Sequence, residues 1–183
     1  GGGGGVGGVS GRIEIFSEKI ASFGYDDCPG HATWFEPIEW LGSKTAERYP
    51  LHMLSDQPAD KLHSQLDHSS VSLANKVGGR EPVMIHPDDA SARGISNGDL
   101  VRVFNDRGTY HCKARVNQRA RPGVVNGLGI WWRKLGLNGT NVNELTSQNL
   151  TDLGRAPVFY DCLVDVALDP QLTTRTAKEL NHA

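Results

Sequence analysis

Apolar and polar residues alternate along several short stretches of this chain. Leu100-Val101-Arg102-Val103-Phe104 and Thr109-Tyr110-His111-Cys112-Lys113-Ala114-Arg115-Val116 read as a strong pair of strands. Asn105-Asp106-Arg107-Gly108 between them reads as a tight hairpin turn in which Gly108 supplies positive φ. Tyr49-Pro50-Leu51-His52-Met53-Leu54 is a short apolar run with turn signals at both ends, the mark of a buried strand. Val83-Met84-Ile85 and Asp161-Cys162-Leu163-Val164-Asp165-Val166-Ala167-Leu168 read as strands, and Arg121-Pro122-Gly123 turns the chain into the apolar run Val124–Trp132. Ser10-Gly11-Arg12-Ile13-Glu14-Ile15-Phe16-Ser17 also alternates and reads as a strand. Helical signals are few. They are a turn or two over Glu18–Phe23, a short helix after Ser64, and His86–Arg93, which begins with a turn and is stopped by Gly94. Many short strands with regular turns and small helices favour a closed barrel over a doubly wound sheet.

The edges of the chain read differently. Residues 1–9 are nearly all glycine, which has no side chain to bury and loses the most entropy on ordering, so they read as a linker or a scar. Residues 10–48 form an extended lead-in arm, in which Trp34, Phe35 and Trp40 put much aromatic surface on a loop, as an anchor against a partner surface does. The barrel is expected over 49–168, and 169–183 is a C-terminal tail.

Composition narrows the function. The chain has 183 residues, 19 basic against 21 acidic, for a net charge of −2. No basic stripe argues for nucleic acid, and no apolar run approaches the roughly 20 residues needed to cross a bilayer. The three cysteines, Cys28, Cys112 and Cys162, lie far apart and form no CxxC pair, so buried or half-buried thiols are expected rather than a disulfide framework or a metal site.

The chemistry concentrates just after the Tyr49–Leu54 strand. Ser55-Asp56-Gln57-Pro58-Ala59-Asp60-Lys61-Leu62-His63-Ser64-Gln65-Leu66 offers Ser, Gln, His, Ser and Gln within eleven residues. Each is a neutral donor and acceptor. Such a set suits reading the edge of a polar heterocycle better than metal capture or acid–base work. A solvated loop with a helix N-cap at Ser55 or Ser64 is the competing explanation.

Several ordered motifs then converge on one family. Leu54-Ser55-Asp56-Gln57-Pro58, Leu62-His63-Ser64-Gln65-Leu66, Glu81–Ala90, Arg93–Gly108, Pro122-Gly123-Val124, Trp131-Trp132 and Asn141-Val142-Asn143-Glu144-Leu145-Thr146 resemble, in order, the C-terminal domain of the dimethyl-sulfoxide-reductase superfamily of molybdenum oxidoreductases. The resemblance runs from about residue 10 to about residue 168. It implies a six-stranded double-psi β-barrel that covers a molybdenum held by two molybdopterin guanine dinucleotides (bis-MGD) in the full-length enzyme. It also implies that the domain binds parts of both dinucleotides while the metal's protein ligand lies on an upstream domain of the same oxidoreductase, which acts on a small-molecule substrate. The cofactor would carry the chemistry while the protein binds and orients it.

By the same resemblance, His63, Ser64, Gln65 and Asn143 are cofactor contacts, and Ser55 and Gln57, just past a strand end, join them. No catalytic residue and no metal ligand is assigned to the chain. The hairpin turn Asn105–Gly108 is explained as structure, and Trp131 and Trp132 as core or domain-contact residues. The Leu-His-Ser-Gln-Leu form is similar to the sulfoxide and N-oxide reductase branch, whereas Leu150–Asp161 departs from it. A stand-alone double-psi barrel that binds partners without a metal cofactor is the alternative.

Overall fold

The computed structural model describes residues 11–128, 132–133 and 136–169. The glycine-rich residues 1–9, Trp131 and nearly all of the expected tail lie outside them. The described residues fall into two compact units, one of 11–37 with Leu150–Pro157 and one of Ile38–Asn149 with 158–169.

The second unit is the barrel. Its strands are β1 (Leu51–Leu54), β2 (Pro82–Ile85), β3 (Leu100–Phe104), β4 (Thr109–Val116), β5 (Val124–Gly127) and β6 (Leu163–Leu168). They close in the order β1-β5-β2-β4-β3-β6. β1/β5 and β2/β4 pair in parallel, and the other four pairs are antiparallel. The fold is mainly β, the closed barrel that the strand pattern predicts and the six-stranded double-psi form that the family resemblance implies. The period-2 pattern decides what faces inward. Leu51 and Met53, Val101 and Val103, Tyr110, Cys112 and Ala114, and Val164 and Val166 all point into one core, with Val83, Ile85 and Val125 from the remaining strands. Closure leaves no unpaired strand edge.

The helices are short. α1 spans Glu18–Ala21, α2 Ser70–Ala74 and α3 Pro87–Ser91. α3 has Pro87 in its first turn, and its N-cap His86 accepts from the Asp88 N–H through Nδ1 at 3.2 Å. Gly94 follows α3 in the left-handed region, at φ 64°. α2 starts later than Ser64. Its N-cap is Ser69, whose hydroxyl accepts from the Ser72 N–H at 3.2 Å, so neither Ser55 nor Ser64 caps a helix.

Two expectations are corrected. The expected strand over Ser10–Ser17 is absent from its described residues, 11–17. Among its described residues only Phe16 makes a bridge, to His31, and Ile13 and Ile15 are more than four-fifths exposed. Alternation without a neighbouring strand to receive it forms no ladder. Gly108 does not have positive φ. Its glycine is required instead by close approach, since a Cβ there would lie 2.8 Å from the Glu144 carbonyl oxygen.

Candidate functional site

Three segments of the barrel unit meet around a solvent-open cavity of about 280 Å³. It is lined by Ser55, Asp56 and Gln57 beyond the end of β1, by Val142, Asn143 and Thr146, and by Phe159 and Tyr160 ahead of β6. Sequence alone brought Ser55, Gln57 and Asn143 to notice, and the fold gathers these three in one place. Asp56, Thr146, Phe159 and Tyr160 were not singled out. The only signal for the first was its position inside the polar stretch, and Phe159-Tyr160 sat in the part of the chain that departs from the family pattern.

Each wall is held by local chemistry. β1 delivers Ser55–Gln57, and Asn126 of the parallel neighbour β5 donates through Nδ2 to Asp56 Oδ2, which fixes the carboxylate at the strand end. Asn143 lies in a 3₁₀ turn over Val142–Glu144, capped by the Asn141 side chain, which accepts from the Asn143 N–H at 3.0 Å. The backbone amide of Asn143 is therefore engaged in the turn, while its residue stands exposed. His52 of β1 donates through Nε2 to the Tyr160 carbonyl at 2.8 Å, and the Phe159 and Tyr160 rings lie 4.4 Å apart.

His63, Ser64 and Gln65 do not line this cavity. They form a separate tight loop in which Gln65 N–H donates to the Leu62 carbonyl at 2.9 Å, and His63 and Leu66 both adopt left-handed backbone, at φ 51° and 64°. A bulky residue such as Leu in that region is strained, so something must over-determine the loop. The restraint is ionic. Lys61 and Asp67, at its two ends, form an ion pair at 3.0 Å with side chains 0% and 2% exposed. Lys61 also reaches Glu81 at 3.2 Å, and Lys76 reaches Asp67 at 3.2 Å. Burial alone would raise the Asp67 pKa, but hydrogen bonds from Lys61 and Lys76 hold it below its ordinary 3.8. The result is a pinned loop whose tip residues His63 and Gln65 stand in solvent.

The donor set of the cavity fits a pterin or guanine ring. The edge of either ring carries adjacent N–H donors and a carbonyl. Asp56 is placed to accept, the Gln57 and Asn143 amides to donate or accept, and two aromatic rings offer stacking surface. No Lys or Arg lines the cavity, so it suits the ring of a dinucleotide rather than its phosphates. Among the described residues no group of three or more His, Cys, Asp or Glu is placed to hold a metal ion. Cys28 is half-buried; Cys112 and Cys162 are buried, and burial pushes their pKa values up to about 12 and about 11. Neither is a thiolate at neutral pH.

Comparison with known proteins identifies the family. Residues 51–163 match the family model of the molydopterin dinucleotide binding domain, a span that contains every residue of the cavity and of the pinned loop. The chain is 49% identical over 120 residues to the dimethyl sulfoxide/trimethylamine N-oxide reductase of Cereibacter sphaeroides, covering 66% of this chain and 14% of that protein. It is 39% identical over 160 residues to the biotin sulfoxide reductase of the same organism, covering 87% of this chain and 21% of that one. The chain thus spans about a seventh to a fifth of the length of these curated relatives. Acetylene hydratase from Pelobacter acetylenicus shares the fold, with a TM-score of 0.72 at 18% identity over 87% of this chain and 24% of that one. The chain belongs to the molydopterin dinucleotide binding domain family, within the dimethyl-sulfoxide-reductase superfamily of molybdenum oxidoreductases.

Proposed function

We propose that this chain is the cofactor-binding domain of a bis-MGD molybdenum oxidoreductase of the S-oxide and N-oxide reductase branch. Upstream domains of the same polypeptide would carry the metal ligand and the small-molecule substrate site. The observation that carries this reading is that the family match covers every residue of the polar cavity, whose walls offer neutral hydrogen-bonding groups and one carboxylate. Family membership favours it over a stand-alone barrel module without a cofactor.

The bound molybdenum cofactor supplies the redox chemistry. The chain's own residues bind and orient it. Ser55, Gln57 and Asn143 offer hydrogen bonds to a ring edge from the cavity walls, and Asp56 accepts from its N–H donors. His63, Ser64 and Gln65 present a second set of donors and acceptors from the pinned loop. The domain contributes no group that touches the reacting atoms. Trp34 is 76% exposed and Phe35 49%, and both suit packing against the upstream domains.

The test uses the full-length enzyme. His63→Ala, Gln65→Ala and Asn143→Ala should each weaken the hold on the cofactor, read as molybdenum and pterin content and as turnover. A buried partner left unpaired costs about 1–3 kcal/mol, which is roughly 5- to 150-fold per site. Full metal and pterin content with wild-type turnover in all three variants would make these residues structural.

A further inference from the structure

The turn between β3 and β4 makes bonds that a hairpin does not need. The reversal itself is complete with the Asn105 N–H donating to the Gly108 carbonyl at 3.1 Å and the Arg107 N–H to Asn105 Oδ1 at 2.9 Å. The Asn105 amide nitrogen and the Arg107 guanidinium are left over, and both reach across to other segments. Asn105 Nδ2 donates to the Leu145 carbonyl at 3.0 Å and to the Leu163 carbonyl at 3.1 Å. Arg107 Nε donates to the same Leu145 carbonyl at 2.6 Å. Its terminal nitrogens grip the Glu39 carboxylate, and Glu39 Oε2 accepts from the Leu163 N–H at 2.8 Å. The buried Cys162 thiol completes the knot by donating to the Leu145 carbonyl at 3.3 Å.

The two segments tied together here carry two of the three walls of the cavity. Leu145 lies between Asn143 and Thr146, and Leu163 follows Phe159-Tyr160 by three residues. We propose that Asn105 and Arg107 are positioning residues that lock the Asn143 wall to the Tyr160 wall and so set the width of the cavity for the ligand ring. The proposal rests on the reading of that cavity as a dinucleotide site. Binding groups must be held to within about half an ångström to hold their hydrogen bonds, and a lock between the walls supplies that rigidity. Lysine cannot replace Arg107, because its single ammonium cannot serve the Glu39 carboxylate and the Leu145 carbonyl with the fixed fork of a guanidinium.

The experiment uses the full-length enzyme and the variants Asn105→Ala, Arg107→Lys, Asn143→Ala and, as a control, Arg48→Ala. Arg48 pairs with Asp106 on the same turn at 2.7 Å but touches neither wall. The readouts are the rate at which the purified folded protein releases the intact molybdenum cofactor on dilution, followed as protein-bound pterin and molybdenum, and its melting temperature. Release should be at least about tenfold faster in Asn105→Ala and Arg107→Lys and unchanged in Arg48→Ala. Combined with Asn143→Ala, Arg107→Lys should add less than its separate effect, since both act on one wall. Should Asn105→Ala fail to fold, Arg107→Lys decides. A lowered melting temperature with wild-type release in Arg107→Lys, while Asn143→Ala releases faster, overturns the positioning role alone. Wild-type release in Asn143→Ala as well overturns the underlying site.

Discussion

Gly108 shows how one residue can serve an element other than its own. It closes a hairpin, yet its hydrogen side chain is demanded by the Glu144 carbonyl, 2.8 Å from where a Cβ would stand. Gly108→Ala should force either the hairpin or the Asn143 turn to move and cost about 1–3 kcal/mol, as overpacking does. Urea unfolding of the variant checks it, and an unchanged midpoint would show that the contact gives way freely. Lys61 presents the opposite case, a charge whose removal leaves Asp67 and Glu81 sharing the ion pairs to Lys76. Lys61→Met is expected to lose about 3–5 kcal/mol, because a buried pair broken on one side leaves an uncompensated charge. Residue identity was legible in the sequence for Ser55, Gln57 and Asn143, since polar side chains just beyond a strand or in an Asn-rich turn stand out. Asn105 and Arg107 were not legible, because a turn explains an Asn and a Gly without asking where their neighbours' side chains go.

At the scale of elements, the strands were the readable part. β3, β4 and β6 carry their burial in a period of two, and a chain with that pattern on both sides of a tight turn has few other folds open to it. The loop 61–67 was not readable. Its left-handed residues are His63 and Leu66, neither of which announces such a backbone as glycine does, and the ion pair that enforces them joins residues whose burial no local pattern reveals. That ion pair makes the loop sensitive to acid. Asp67 has a folded-state pKa below its ordinary 3.8, so its contribution is fully present above that value and is lost as pH falls through the depressed one. Protection of the amides at 62–66, relative to their intrinsic exchange rates, should therefore hold from neutral pH down to about 4 and fall below it. A loop equally protected at pH 3 and pH 7 would mean that Asp67 does not hold it.

At the scale of the molecule, the barrel and the chemistry make separable demands. All six strands are paired on both sides, and the buried apolar side chains of every strand share one core. Such a unit should fold by itself in a single cooperative transition. Holding the metal is another matter. Among the described residues no cluster of His, Cys, Asp or Glu can ligate an ion, and the cavity offers neutral groups and one carboxylate to a ring. It is open to solvent, and hydrogen bonds at an open surface compete with water, each netting only about 0.5–1.5 kcal/mol. Half a dozen such bonds, offset by the loss of translational and rotational freedom on binding, leave little affinity for an isolated domain. The chain expressed alone is thus expected to show a cooperative melt with a native far-ultraviolet spectrum, no reductase activity, and no stoichiometric molybdenum after washing. Elemental analysis of the washed, folded protein is the measurement, and one molybdenum per chain would mean that this domain alone holds the cofactor.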